Sequence, residues 1–171
     1  MYGVVVEIVK IEIKNRWDDK VIISGQYESV KDCLEQNSDA NLSGANLRDA
    51  YLKGANLSDY DLRDSDLRDA NLSDSDLSYS DLSGADLRGS DLSNIKNYSE
   101  SYDIFYELVS RQKVEVFTPS QWSYIGIILI YRICWDAIKK RFGKKILPVV
   151  KKLDKSGFGE YLTRYKEVLK G

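Results

Sequence analysis

The chain has 171 residues, of which 30% are charged, and it has a formal net charge of −2 with no histidine. The absence of histidine excludes Ser-His-Asp and Cys-His catalysis and removes the commonest zinc ligand, so we expect a protein that is not an enzyme and binds no cofactor. The charge is uneven: −3 for residues 1–39, −6 for residues 40–94 and +7 for residues 95–171. These ranges are the domains that the sequence predicts.

Two features bear on where the protein resides. No segment reaches about 18 uninterrupted apolar residues, and MYGVVVEIVKIEIK lacks a basic leader and a cleavage site, so we expect no membrane span, no membrane partner and no signal peptide. Cys33 and Cys134 lie in separate apolar helical patterns, which favours buried free thiols over a disulfide. A cytoplasmic protein is expected.

Residues 4–14 and Val21–Tyr27 are rich in β-branched residues, which predicts an N-terminal β-hairpin. The apolar phase changes within the first strand, which predicts a bulge near Ile8–Lys10. The range Ser29–Gln36 then has helical apolar spacing. We expect this short helix to cap the segment that follows it.

Residues 40–94 consist of a five-residue phrase repeated eleven times without an insertion: ANLSG, ANLRD, AYLKG, ANLSD, YDLRD, SDLRD, ANLSD, SDLSY, SDLSG, ADLRG and SDLSN. A small residue stands two places before the central leucine in every repeat except the one that begins with Tyr60. A five-residue period fits neither a helix nor a flat strand and indicates a stacked solenoid. The leucines expected to form its core are Leu42, Leu47, Leu52, Leu57, Leu62, Leu67, Leu72, Leu77, Leu82, Leu87 and Leu92.

The pattern (Ala/Ser)-(Asp/Asn)-Leu-X-X resembles the pentapeptide-repeat family over about a third of the chain. The resemblance implies a mainly β fold, a right-handed quadrilateral β-helix in which four repeats form one square coil. Eleven repeats would form about three coils. The leucine and the small residue would point inward, and the other three places would face outward.

Residues twenty apart would then form columns along the outside. One column contains Arg48, Arg68 and Arg88. It is flanked on one side by Asn46, Asp66 and Asp86 and on the other by Asp49, Asp69 and Gly89. The carboxylates would offset the repulsion between the stacked arginines. Two interpretations are open: a solvated lattice of ion pairs, and a patterned docking face for a partner.

Three tyrosines depart from the pattern. Tyr51 and Tyr79 occupy outward places and are candidate anchors for a partner. Tyr60 replaces a small residue, so either the corner bulges and turns it outward or its ring fills internal space. The rhythm of aspartates is expected from short side chains that bond nearby backbone at the corners, and no metal site is expected.

Residues 95–171 predict a unit of four helices. A capping box at Asn97–Glu100 opens the first, and a stronger one at Thr118–Gln121 opens a helix that runs to Gly143. Because Tyr124–Trp135 is apolar nearly all round, a central buried helix is expected. Two shorter helices follow near Leu147–Leu153 and Gly159–Leu169, separated by Ser156 and Gly157.

A basic cluster lies within this last unit. Three interpretations of the cluster are open: contact with nucleic acid, contact with an anionic surface, and a solvated face. Because no helix-turn-helix or finger signature accompanies the cluster, we expect no direct nucleic-acid binding. Its members are Lys139, Lys140, Arg141, Lys144, Lys145, Lys151, Lys152 and Lys155.

The sequence as a whole favours a bacterial protein-binding or scaffold module with an unidentified protein partner, and homodimerisation through the C-terminal helices is a further expectation. One branch of the pentapeptide-repeat family protects DNA gyrase with a DNA-like acidic rod, and the acidic repeats make that role the alternative. The short repeat block, its lack of loop insertions and the basic unit after it depart from that branch, so no site residues are carried over.

Overall fold

The computed structural model describes residues 6–98, 101–131, 135–155 and 158–170. It divides into two compact units, Met1–Tyr98 and Ser99–Gly171. The N-terminal segment therefore belongs to the same unit as the repeats.

A β-hairpin forms the N-terminal part of the first unit, as the sequence predicts. Strands β1 (Val9–Lys14) and β2 (Val21–Tyr27) pair antiparallel, with Ile13 opposite Ile23 and both side chains buried. The prediction of a bulge near Ile8–Lys10 is wrong: the register shifts after Ile13, and Ile8 precedes β1. Burial of the Ile13–Ile23 pair explains the register, because a slip of one residue would turn both side chains outward. Residues 4 and 5, where the first strand was expected to begin, lie outside the described residues.

Helix α1 (Val30–Gln36) follows the hairpin and begins at Ser29, whose hydroxyl accepts a hydrogen bond from the Asp32 N–H at 3.1 Å. Leu34 is fully buried, and so is Cys33, a free thiol whose pKa is raised mainly by that burial. The prediction for Cys33 is confirmed, and Cys134 lies outside the described residues.

The hairpin and α1 both contact the first repeats. The Asn46 N–H donates to the Lys14 carbonyl at 2.7 Å, and the Asn56 N–H donates to the Glu35 carboxylate at 3.1 Å. These bonds satisfy donors on an edge that would otherwise be exposed to other chains.

Within the repeats, hydrogen bonds join segments about one twenty-residue step apart. The N–H of the central leucine donates to a carbonyl nineteen residues ahead, at 2.8–3.1 Å, from Leu42 to Leu77. Isolated parallel β-bridges join residues twenty apart, from Asn46–Asp66 to Asp76–Lys96. The two-stranded sheet is formed by β1 and β2 of the hairpin. Each of the eleven central leucines is at most 3% exposed. These are the leucines that the five-residue period assigns to the interior.

The second unit is helical. Its α-helices are α2 (Tyr102–Ser110), α3 (Pro119–Tyr131), α4 (Trp135–Phe142), α5 (Leu147–Lys155) and α6 (Glu160–Lys170), with 3-10 turns at Val114–Val116 and Gly143–Ile146. In α2 the four apolar side chains that the sequence predicts to be buried are buried, and so is Glu107; the four are Ile104, Phe105, Leu108 and Val109. Residues 132–134, between α3 and α4, and the predicted separator at residues 156–157 lie outside the described residues.

The start of α2 differs from the prediction. Its N-cap is Ser101, whose hydroxyl accepts the Ile104 N–H at 3.3 Å. Asn97 instead has a left-handed backbone, with φ 58°, and its side chain donates to the Asp76 carboxylate at 2.9 Å. Asn97 therefore contacts the repeats, and the N-cap of α2 is Ser101 and not Asn97. Glu100, the other half of the expected capping box, lies outside the described residues.

The start of α3 is confirmed, but the burial expected along it is not. Thr118 and Gln121 form a reciprocal capping box, with bonds of 3.0 and 3.3 Å. Ile125 and Ile128 are buried, whereas Ile130 is 76% exposed and Tyr131 is 65% exposed. A helix that is apolar all round buries only the stripe its neighbours cover, and that stripe ends before Ile130. No helix among the described residues has the length and apolar character needed to cross a membrane.

Candidate interaction surface

Each repeat turns its corner with two residues of fixed conformation. The fifth place has a left-handed backbone in every repeat, with φ between 54° and 76°, although only Gly, Asn and Asp adopt it readily. The second place is Asp or Asn in every repeat but the third, and in those ten its Oδ1 accepts the N–H two residues ahead at 2.8–3.3 Å. The aspartate rhythm therefore follows from turn geometry. The fifth-place residues are Gly44, Asp49, Gly54, Asp59, Asp64, Asp69, Asp74, Tyr79, Gly84, Gly89 and Asn94.

Arg48, Arg68 and Arg88 occupy equivalent places on successive turns of the chain. The Asp49 N–H donates to the Arg68 carbonyl at 2.9 Å, and the Asp69 N–H donates to the Arg88 carbonyl at 3.0 Å. These bonds hold the three backbones in one column, which we call the arginine column.

Two of these arginines bind the aspartate two residues before them. Arg68 donates from Nε and Nη2 to Asp66 at 2.8 and 2.5 Å, and Arg88 donates to Asp86 in the same way at 2.8 and 2.6 Å. Arg68 Nε also lies 3.6 Å from Asp86 Oδ2, which links successive turns. Arg48 follows the neutral Asn46 and instead pairs with Asp69 at 3.2 Å. Two-point arginine–carboxylate pairing fixes both side chains.

The electrostatics of the column follow from these pairs. Hydrogen bonds from Arg88 lower the pKa of Asp86 to about 2, against the opposing effect of partial burial. Hydrogen bonds from Arg68 lower the pKa of Asp66, whose side chain is only 5% exposed. The carboxylates of Asp66 and Asp86 therefore stay ionised at neutral pH, and their pairs with Arg68 and Arg88 give this face a fixed charge pattern.

Arg63 is a fourth arginine of the repeats that pairs with aspartates, and the sequence analysis missed it. It binds Asp61 at 2.8 and 2.5 Å and lies 3.8 Å from Asp81 on the next turn. The signal was present as the triplet Asp-Leu-Arg, which occurs in the fifth, sixth and tenth repeats. Arg16, from the hairpin, also reaches the repeats and donates to the carbonyls of Asp64 and Ser65 at 3.1 and 3.2 Å.

The tyrosines occupy different environments. Tyr51 is 62% exposed and stands in a second place, where a phenol cannot form the turn bond that Asp or Asn forms. Tyr79 is 90% exposed and adopts a left-handed backbone, with φ 56°. Ser78, which precedes Tyr79, holds the same place in its repeat as Arg68 and lies ten residues after it. Ten residues are half of the twenty-residue period, so Tyr79 does not belong to the arginine column.

Tyr60 lies inside. It is 2% exposed, and its hydroxyl donates to the Leu34 carbonyl in α1. Burial raises its pKa to about 12. The second of the two interpretations of the sequence is therefore confirmed: the Tyr60 ring fills internal space. Its hydroxyl also joins α1 to the repeats.

A family model described as pentapeptide repeats matches residues 38–69 and 56–94, in eight copies. The repeats thus define the class of the first unit, and pentapeptide repeats imply a right-handed β-helix. Residues 38–94 of the chain are pentapeptide repeats. No curated protein and no solved structure matched the chain in the other two comparisons.

Proposed function

We propose that residues 40–94 form a right-handed quadrilateral β-helix of about three coils, and that this β-helix is a non-enzymatic protein-binding module of a bacterial cytoplasmic protein. Bridges between residues twenty apart and the buried leucines support the four-sided form. The buried free thiol of Cys33 fits a reducing compartment.

The observation that carries the binding role is the backbone of Tyr79. A left-handed conformation costs a residue with a Cβ roughly 1–2 kcal/mol, and the equivalent places hold Gly, Asp or Asn. The ring gains little in return from the fold, because it is 90% exposed. An exposed aromatic held at a strained turn is better explained by contact with a partner than by stability.

The arginine column supports the same role at a separate place. Arg68 and Arg88 are held by Asp66 and Asp86, so a partner that docks there loses little side-chain entropy. Tyr51 follows Arg48 by three residues in the chain and adds an exposed aromatic side chain. Exposed aromatics and arginines together are typical of protein interfaces.

The test compares Tyr79→Asn and Tyr51→Asn with the wild-type chain. Both substitutions restore the residue type that the turn prefers, so we expect the unfolding midpoint to stay or to rise while partner capture falls. Capture uses cross-linking in a bacterial extract, identification of the partner, and a measured Kd with the purified partner. Tyr106→Gln is the matched control, since Tyr106 is 59% exposed in the helical unit. Unchanged Kd for both repeat variants would overturn the binding role.

The gyrase alternative rests on the net charge of −6 over residues 40–94. The pairing of Asp61, Asp66 and Asp86 with arginines makes that surface less like a phosphate backbone. A DNA gyrase supercoiling assay tests this alternative. Inhibition of supercoiling by the wild-type chain, relieved by Asp81→Asn and Asp91→Asn, would favour the gyrase role. Absence of inhibition at stoichiometric excess of the wild-type chain would exclude it.

A further inference from the structure

The 3-10 turn Gly143–Ile146 and helix α5 have an apolar face and a basic face. Ile146, Val149, Val150 and Leu153 are buried, with the spacing of one helical face. Lys144, Lys151 and Lys155 are exposed, also at helical spacing, and Lys145 is exposed beside them. The lysines thus lie away from the core of the unit.

These exposed cations form no ion pair with another residue that the structure describes. Within the described part of the chain, the salt bridges involve none of Lys144, Lys145, Lys151 or Lys155. The arginines of the repeats, by contrast, are neutralised by their own aspartates. The basic face of the helical unit is therefore free to attract an anionic partner.

An exposed apolar pair adjoins this basic region. The Arg141 guanidinium lies 5.9 Å from the centre of the Tyr131 ring, and Tyr131 and Ile130 end the described part of α3. Ile130 is 76% exposed. Arg141 precedes Lys144 and Lys145 by three and four residues, so the apolar pair lies near the start of the basic face. The apolar pair, Arg141 and the basic face are together called the basic neighbourhood.

We propose that this neighbourhood docks on anionic lipid bilayers, with Ile130 and Tyr131 entering the interface and Arg141, Lys144, Lys145, Lys151 and Lys155 contacting phosphate headgroups. An aromatic beside cations also suits a single-stranded nucleic acid, but an exposed aliphatic side chain has no favourable site on a charged backbone. A bilayer interface accommodates the cations and the isoleucine together. Peripheral docking needs no membrane-spanning helix, so it revises the expectation of no membrane partner and is independent of the proposed role of the repeats.

The test is flotation of the full chain with vesicles of phosphatidylcholine alone or with about 30% phosphatidylglycerol. We expect binding only to the anionic vesicles, weakening as salt is raised because screening shortens the reach of the lysines. Removal of each headgroup-contacting cation should weaken binding about five-fold. Lys144→Gln with Lys145→Gln should therefore lose about 25-fold, and Ile130→Ser should lose roughly ten-fold.

Lys166→Gln with Lys170→Gln is the matched control, because both lysines are exposed on α6 of the same unit. This pair should bind anionic vesicles within about two-fold of the wild-type chain, since the lost charge lies outside the proposed face. Circular dichroism verifies that each variant is folded. Absence of flotation with anionic vesicles, or equal losses for the control and test pairs, would overturn the proposal. Tight binding of a single-stranded oligonucleotide that Ile130→Ser leaves unchanged, without vesicle binding, would assign the face to nucleic acid instead.

Discussion

The repeats and the helical unit place different demands on their residues. In a repeat, the second place supplies a side-chain acceptor, the third place fills the interior, and the fifth place adopts a left-handed backbone. In the helical unit, α5 requires only that a stripe such as Val149, Val150 and Leu153 be apolar. The comparison teaches that the five-residue period specifies backbone geometry as well as burial, whereas the helical pattern specifies burial alone.

The largest expected effect concerns how each unit tolerates a cavity. Leu67→Ala should lower the free energy of unfolding by about 3–5 kcal/mol, near the upper end for such a change. Backbone bonds from Leu67 to Asp86 and from Leu47 to Asp66 hold the neighbouring repeats in place, so the site cannot collapse. Leu153→Ala in α5 should cost about 2–4 kcal/mol, because helices can shift toward a void. Urea unfolding of each variant measures both values, and a smaller loss for Leu67→Ala would contradict the comparison.

Glycine-to-alanine substitutions should change the free energy of unfolding in opposite directions in the two units. Gly89 has φ 76°, and an added Cβ would meet the Asp69 carboxylate, so Gly89→Ala should destabilise by about 1–3 kcal/mol. Gly126 lies inside α3, and outside its own helix backbone no described residue lies within 4 Å of the added methyl, so Gly126→Ala should stabilise by up to about 1 kcal/mol.

Gly54→Ala separates strain from clash in the glycine comparison. Its φ is 63°, and the nearest atom to an added Cβ is Lys31 Nζ at 3.8 Å. It should cost about 1–2 kcal/mol through backbone strain alone. Thermal unfolding of the three variants gives the comparison, and a stabilising Gly89→Ala would contradict it.

Much of the first unit could be predicted from the sequence because its period is strict. The leucine row follows from the five-residue spacing, the twenty-residue register is implied by the resemblance to the pentapeptide-repeat family, and the hairpin follows from its β-branched residues. The sequence places Asp69 beside the arginine column but does not predict that Arg48 pairs with it, because that choice depends on Asn46 being neutral and on the reach of the Asp69 side chain. The start of α2 was misplaced because Asn97 and Ser101 are both good caps, and the bond from Asn97 to Asp76 is a tertiary contact. The exposure of Ile130 depends on where neighbouring helices end, which apolar periodicity does not record.

The ion pairs of the repeats should make the first unit sensitive to acid. The pKa of Asp86 is about 2 in the folded chain and 3.8 ordinarily, so its contribution is present above about pH 4 and is lost as the pH falls toward 2. Asp86→Asn should therefore cost roughly 1–2 kcal/mol at pH 7 and almost nothing at pH 2. Urea unfolding at both pH values tests this, and an equal cost at the two would show that the carboxylate charge is not responsible.

The smallest expected effect is a stabilisation within the repeats. Among the described residues, the buried hydroxyls of Ser65 and Ser75 have no hydrogen-bond partner, while equivalent places hold alanine, as at Ala45 and Ala70. Removing an unsatisfied buried hydroxyl should stabilise, so Ser65→Ala and Ser75→Ala should each raise the free energy of unfolding by about 1 kcal/mol. Ser90→Ala is the matched control, because the Ser90 hydroxyl donates to the Leu87 carbonyl at 2.6 Å, and its loss should be neutral or destabilising. If all three substitutions shift stability alike, the first place responds to side-chain size alone, and the hydroxyls of Ser65 and Ser75 have acceptable surroundings inside the repeats.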